Sequence, residues 1–203
     1  MLANIFRVAI FLNYLHACMS NHQLFVYFYS GQSEADCHNF IKILVSYRDK
    51  LFACGTNAFS PQCSWRDIEA LKHVTRTVEG RGKCPYSPKA NSSAFMNDVG
   101  DFYIASSTDP SGIDHAIYRM SGAKLDENLM KNPQYDSLWL NQPNFVLTFE
   151  TDQFVYFVFR ENAMEYMNCG KTIYSRIARV CKNDQGGQYG QKGSKTYIVL
   201  IIL

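Results

Sequence analysis

Seven cysteines, five histidines and a scatter of acidic side chains are the groups in this chain that could do chemistry. The cysteines point to cross-linking. Cys54 and Cys63 bracket Gly-Thr-Asn-Ala-Phe-Ser-Pro-Gln, a stretch rich in turn formers. Such a stretch lets the chain reverse and brings two sulfurs within disulfide range. No Cys-x-x-Cys occurs, and His16, His22, His38, His73 and His115 do not pair with cysteines at metal-ligand spacing. The expectation is therefore no metal site and an oxidising compartment. Cys18, Cys37, Cys84, Cys169 and Cys181 remain, an odd number that leaves at least one thiol unpaired. A Cys84–Cys169 bond is one option, and burial as small apolar side chains is the other. Asn91-Ser92-Ser93 is a glycosylation acceptor if the chain is secreted.

Other groups could act as acids or ion binders. Asp101, Asp109, Asp114 and Glu161 are candidates for a hydrolytic carboxylate pair, which would need two of them about 5–9 Å apart. No motif unites them, and there is no Gly-x-Ser-x-Gly elbow, His-Glu-x-x-His or phosphate loop. Arg160, Glu161, Arg176 and Arg179 could bind a carboxylate, but at alternate strand positions they read better as a structural charge pair or a solvated face. The formal charge of +2 includes no run of Lys or Arg, which argues against a nucleic-acid groove or an anionic membrane surface.

The elements that must position these groups read as strands. Phe40–Tyr47 leads through Arg48-Asp49-Lys50 into Leu51–Thr56, and Ser93–Met96 leads through Asn97–Gly100 into Asp101–Ser107. Asn144–Phe149 and Phe154–Phe159 flank Glu150–Gln153, and Ile173–Val180 alternates apolar with polar residues. The segment Leu125–Trp139 reads as a long polar connection. The second strands of the pairs begin near Leu51, Phe102 and Phe154, an interval of about fifty residues that suggests a repeated blade. Each blade is a small antiparallel sheet that must stack on neighbours, and the fold class expected is an all-β propeller. A β-sandwich would place its turns closer together. At about fifty residues per unit, the 203 residues supply three to four blades. An incomplete ring exposes blade faces and edges, so the chain is expected to be a fragment or to oligomerise, with fragment preferred.

Several blocks resemble the sema domain of semaphorins. They are Asp36–Ile41, Leu51-Phe-Ala-Cys-Gly-Thr-Asn-Ala-Phe-Ser-Pro61, Gly82–Pro88, Ala116-Ile-Tyr-Arg119, Trp139–Val146, Phe154–Glu161 and Tyr174–Gly187. They stand in the family's order over about 31–187, and Cys63-Ser-Trp-Arg66 with Asp109-Pro-Ser-Gly-Ile-Asp114 looks most like an invertebrate member of the fifth class. The resemblance implies a seven-bladed propeller of which this is part, a Cys54–Cys63 disulfide, homodimers, and binding to plexin receptors that steer axons and migrating cells. It implies an extracellular or cell-surface guidance cue with no catalysis, cofactor, nucleic acid or small-molecule substrate. A plexin-type receptor shares the propeller, but Cys-Gly-Thr-Asn-Ala-Phe and Val-Cys-Lys-Asn-Asp favour the ligand side; a secreted propeller hydrolase is the other alternative. The family's receptor contacts come largely from blade-edge loops, and Gln134-Tyr135-Asp136 matches one of these. Tyr135 is the residue expected to contribute most, since it offers a ring and a hydroxyl at modest entropy cost.

The ends depart from the family. Phe25–Ser30 lacks the cysteine expected before Cys37, which leaves Cys37 without its usual partner unless Cys18 substitutes. Residues 1–30 match nothing in the family; Arg7, an apolar run Val8–Leu15 and small residues after it have the shape of a signal peptide. Residues 188–203 replace an expected block with an unmatched tail whose apolar end, Tyr197–Leu203, is too short to span a bilayer. The division expected is thus 1–30, a partial sema domain over 31–187, and a tail over 188–203.

Overall fold

A computed structural model describes residues 34–121, 127–165, 170–184, 195–196 and 200–202. The amino-terminal segment considered as a signal peptide and Cys18 lie outside the described residues. The chain forms two compact units, 1–90 and 91–203.

The first unit holds one antiparallel sheet in the order β1 (Ile41–Tyr47), β2 (Lys50–Gly55), β3 (Gln62–Asp67) and β4 (Val74–Glu79), after a 3₁₀ turn at Glu34–Cys37. The tight turn pairs Tyr47 with Lys50 and places Arg48 at φ 55°, with its guanidinium over the Tyr47 ring. Strand β2 is buried along Leu51–Gly55, as a central strand must be. Leu51, Ala53 and Leu71 form a small core on one side, with Leu44 and Ile68 against it. Phe52 meets Trp65, with ring centroids 4.8 Å apart.

The second unit contains two sheets. In one, β5 (Ser93–Met96), β6 (Phe102–Ser107), β7 (His115–Ser121) and β8 (Glu127–Lys131) form an antiparallel meander. The other runs β9 (Asn144–Glu150), β10 (Phe154–Asn162) and β11 (Ile173–Cys181). Two short strands inside 188–203 extend them: β12 (Lys195–Thr196) pairs in parallel with β8, and β13 (Leu200–Ile202) antiparallel with β11. The stretch 125–139, read from sequence as one polar connection, therefore contains a strand. Met130 is buried within it and Asn132 just after it. The polar residues Asp126, Glu127 and Asn128 hid a strand that sends Met130 into the core.

One core joins the two sheets. Tyr103, Ala105, Ile117 and Met130 from the first meet Phe145, Val155, Phe157, Phe159, Ala178 and Val180 from the second. Period-two alternation produces this on β10, where Val155, Phe157, Phe159 and Glu161 point inward. Fully burying a side chain of this size contributes about 1.5–3 kcal/mol. The opposite face of the same sheet carries Leu147, Val158 and Ile177 in one cross-strand row and Phe149, Tyr156 and Arg179 in the next. Leu147, Phe149 and Ile177 there are 51%, 40% and 39% exposed, so this sheet is apolar on both faces. Val146 is exposed between two paired residues because the register shifts at Val158/Phe159 and leaves it unopposed. The starts of β2, β6 and β10 at Lys50, Phe102 and Phe154 match the fifty-residue interval.

Candidate partner-binding loops

In the first unit, Cys54 and Cys63 face each other across β2 and β3 and are joined by a disulfide with Cα atoms 4.0 Å apart. The loop between them carries Asn57, Ala58 and Phe59 in the left-handed region, at φ 42°, 54° and 59°. Left-handed backbone costs an L-residue about 1–2 kcal/mol, less for Asn. A dense set of bonds offsets this. The Ser60 N–H donates to the carbonyls of both Thr56 and Asn57, and Asn57 Nδ2 reaches the Ser60 carbonyl at 3.0 Å. Thr56 Oγ1 accepts from the Phe40 N–H at 3.0 Å and donates to the His38 carbonyl at 3.1 Å. Asn39 Oδ1 accepts the Asn57 N–H at 3.0 Å and lies 2.0 Å from where a Cβ on residue 55 would be, so a larger residue than Gly55 would push the Asn39 side chain off this bond. Cys84, buried in this unit, is a free thiol whose pKa burial pushes up to about 12, which makes it inert rather than nucleophilic. Cys37 is buried, Cys181 is a half-buried free thiol, and Cys169 lies outside the described residues.

In the second unit, two loops meet at one carboxylate. Asp114, 4% exposed, closes the loop after β6; Gln134, Tyr135 and Asp136 follow β8. Asp114 Oδ1 accepts the Tyr135 N–H at 2.7 Å, and Oδ2 accepts Gln134 Nε2 at 2.6 Å and the Thr108 hydroxyl. Asp109 Oδ1 in turn accepts the Asp114 N–H at 2.9 Å, and Asp109 also accepts the Ser111 hydroxyl. Burial pushes the Asp109 carboxyl up, but the Ser111 hydroxyl and the N–H groups of Asp114, Ile113 and Ser111 outweigh this and hold it below the usual range. Asn132, buried, anchors the second loop: its Oδ1 accepts the Ile117 N–H at 2.6 Å and its Nδ2 donates to the Pro133 carbonyl at 2.8 Å.

The three residues singled out in the sequence serve different ends. The Gln134 amide is engaged at both termini, by Lys131 Nζ on its oxygen and by Asp114 on its nitrogen. Asp136 Oδ1 accepts the Leu138 N–H at 3.0 Å, and its carbonyl accepts the Trp139 N–H at 3.0 Å, seating Trp139 and Leu140 against the core. Tyr135 alone points outward, 80% exposed, on left-handed backbone at φ 56°. Leu138 at 76% and Ile113 at 75% are exposed nearby in sequence on the same two loops. Sequence reasoning missed Asp114 as an organiser; the signal available was an acid closing a Pro-Ser-Gly turn, which many surface loops share.

The four acidic candidates each take part in structural hydrogen bonds. Asp109 and Asp114 meet, but through a backbone N–H within their own loop. Asp101 closes the β5–β6 turn, its N–H donating to Asn97 Oδ1 at 2.7 Å. Glu161 is buried against Arg176, with Nε–Oε1 at 3.0 Å, and accepts the Asn141 N–H at 2.9 Å. Burial pushes its carboxyl up despite these partners. Glu165 extends the pair on the other side of the guanidinium, at 2.7 Å. Arg160 is exposed, and Arg179 lies over the Phe154 ring at 4.5 Å. A cavity of about 320 Å³ beside Asn141, Gln142 and Asn162 has its side-chain amides bonded to one another and to the backbone. Among the described residues no cluster could hold a metal ion, and no helix is long and apolar enough to cross a membrane.

Arg119 explains why two sequence blocks far apart belong together. Its guanidinium donates to the carbonyls of Lys182 and, at 2.8 Å, Asp184, so the Arg of Ala116-Ile-Tyr-Arg119 clamps the turn that ends Val-Cys-Lys-Asn-Asp.

No protein-family model matches the chain. It is 49% identical to Semaphorin 5c of Drosophila melanogaster over 158 residues, 77% of this chain and 14% of that protein. It is 46% identical to Semaphorin-5A of Rattus norvegicus over 159 residues, 78% of this chain and 14% of that one. Among solved structures, that of Drosophila Plexin A in complex with Semaphorin 1b matches with a TM-score of 0.75 and 38% identity, over 90% of this chain and 34% of the matched one. The chain thus spans about one seventh of the length of the curated relatives it matches. The matched structures are sema domains, which are β-propellers, and the four-stranded meanders described above are such a propeller's blades. Blocks in register, blade architecture and identity near one half converge: the chain belongs to the semaphorin family.

Proposed function

We propose that this chain is part of an extracellular semaphorin guidance cue that binds a plexin receptor through the loops joined at Asp114, and that it signals by binding rather than by catalysis. The observation that carries the reading is Tyr135, an aromatic side chain left 80% exposed on a backbone fixed by a buried carboxylate. Aromatic anchors on rigid loops are where binding energy concentrates. Similarity to a semaphorin solved with Plexin A supports the choice of partner. The Cys54–Cys63 disulfide and the exposed acceptor Asn91 support an oxidising, glycosylating route. Asn91 Nδ2 donates to Asn144 Oδ1 at 3.0 Å, so sugar attached there would replace that bond. Homodimer formation, anchoring of the whole protein at the cell surface, a signal peptide over 1–30 and a sema boundary at 187 belong to the same reading.

The test is affinity for a plexin ectodomain. Tyr135→Ala should weaken binding about tenfold or more while leaving the melting temperature within about a degree. Unchanged affinity would remove Tyr135 from the interface. Failure of the unmodified chain to bind any plexin would overturn the partner.

A further inference from the structure

The surface proposed above comes from two loops separated in sequence, and the Asp114 carboxylate is the centre of the bonds between them, with Gln134 Nε2 also reaching Thr108 Oγ1 at 3.1 Å. Asp114 takes Tyr135 through its N–H at 2.7 Å and Gln134 through its amide at 2.6 Å, while the Thr108 hydroxyl binds the same Oδ2. A carboxylate accepts only, and offers about four lone-pair directions for such donors. Three of its partners come from residues 20 to 21 positions later in the chain or from the far end of its own loop. Ile113, the adjacent residue, is fixed by the same closure, since the Asp114 N–H is tied to Asp109. On the other loop Asp136 ties the Leu138 N–H. Three large apolar side chains, Ile113, Tyr135 and Leu138, therefore stand out from one braced base at 75–80% exposure. Three large apolar side chains exposed on two loops that are held to each other offer anchors for a partner.

We infer that Asp114 is a positioning residue that assembles Ile113, Tyr135 and Leu138 into one apolar partner-facing surface, with the consecutive triplet at 134–136 contributing only Tyr135 to the contact. The inference rests on the plexin reading for the identity of the partner, but not for the geometry. Gln134 and Asp136 act inside the protein, bracing the loop. Replacing either should weaken binding through the loop rather than through a lost contact.

A swap of hydrogen-bond donor and acceptor tests this. In Asp114→Asn, the new side-chain amide donor faces the Gln134 Nε2 donor, and the brace fails. Adding Gln134→Glu turns that position into an acceptor, which the amide introduced at position 114 can bind and Lys131 can still reach. The readouts are hydrogen exchange at the Tyr135 amide and plexin affinity, with the melting temperature followed in parallel. D114N should speed exchange at Tyr135 and weaken affinity about tenfold, and the D114N/Q134E pair should recover most of both. A merely structural role predicts no recovery by the swap, and that result, or a D114N protein that exchanges and binds like the parent, overturns the inference. Ile113→Ala and Leu138→Ala should each weaken binding at least about threefold at unchanged melting temperature; no effect from either removes them from the surface. Exchange that follows the swap while affinity stays flat across the whole series upholds the positioning role and overturns plexin as the partner.

Discussion

Two loops that carry left-handed backbone are braced in opposite ways. In the first unit the 56–60 loop is closed by a covalent bond between buried sulfurs, and its three left-handed residues serve compactness. In the second unit the 133–138 loop has no covalent closure; its single left-handed residue, Tyr135, is held by hydrogen bonds to one carboxylate and projects outward. A short covalent closure removes freedom from the unfolded chain, and does so whatever the loop displays. A hydrogen-bonded brace fixes the native position of a particular side chain, and its net contribution to stability is modest. Strain of the first kind builds a scaffold, and strain of the second kind aims a group.

The comparison can be broken most severely at the disulfide. Replacing Cys54 and Cys63 with Ala together should cost about 2–3 kcal/mol, read by denaturant unfolding of the oxidised parent against the variant. A loss below about 1 kcal/mol would mean that the surrounding bonds to Thr56 and Asn39 hold the loop unaided. A smaller effect of opposite sign is expected at Ala58. Ala58→Gly relieves a left-handed Cβ and should be neutral to stabilising by up to about 1 kcal/mol, because the added freedom of the unfolded glycine offsets part of the gain. Destabilisation would show that the Ala58 side chain packs to a purpose.

The smallest effect concerns pH and the loop that carries Asp114. Asp109 has a lower pKa folded than unfolded, so its contribution is present above the unfolded value of about 4 and is lost as pH falls through the folded value. The melting temperatures of the parent and Asp109→Asn should therefore differ at pH 6 and converge as the pH falls through the folded-state value, which lies below that of the unfolded chain. A gap that stays constant through acid titration would show that the Asp109 charge does not close the loop.

Much of the architecture was legible because strand periodicity and turn residues are local. Asn97–Gly100 announces a turn that pairs Met96 with Phe102, and the alternation of Phe154–Phe159 announces one buried face. The strand β8 was illegible, since its polar residues mask the inward Met130 and its place depends on pairing with β7. In the candidate site, Tyr135 was legible as an aromatic residue in a polar loop. Ile113 and Leu138 were not, because nothing in their neighbours says that they face water.

By itself the sequence determined the all-β class, the fifty-residue repeat, the closure of the 54–63 loop and the family. These depend on residue type and spacing, which strand pleat and turn chemistry translate directly into local structure. Tertiary structure alone decided that Arg119 clamps the turn after β11, that Glu161 spends its charge on Arg176, and that Asp114 unites two loops. Each of these is a polar group that must find its partner once buried, and the partner lies 15 to 65 positions away. A chain written in one dimension does not display which distant donors and acceptors folding will bring within about 3 Å of each other.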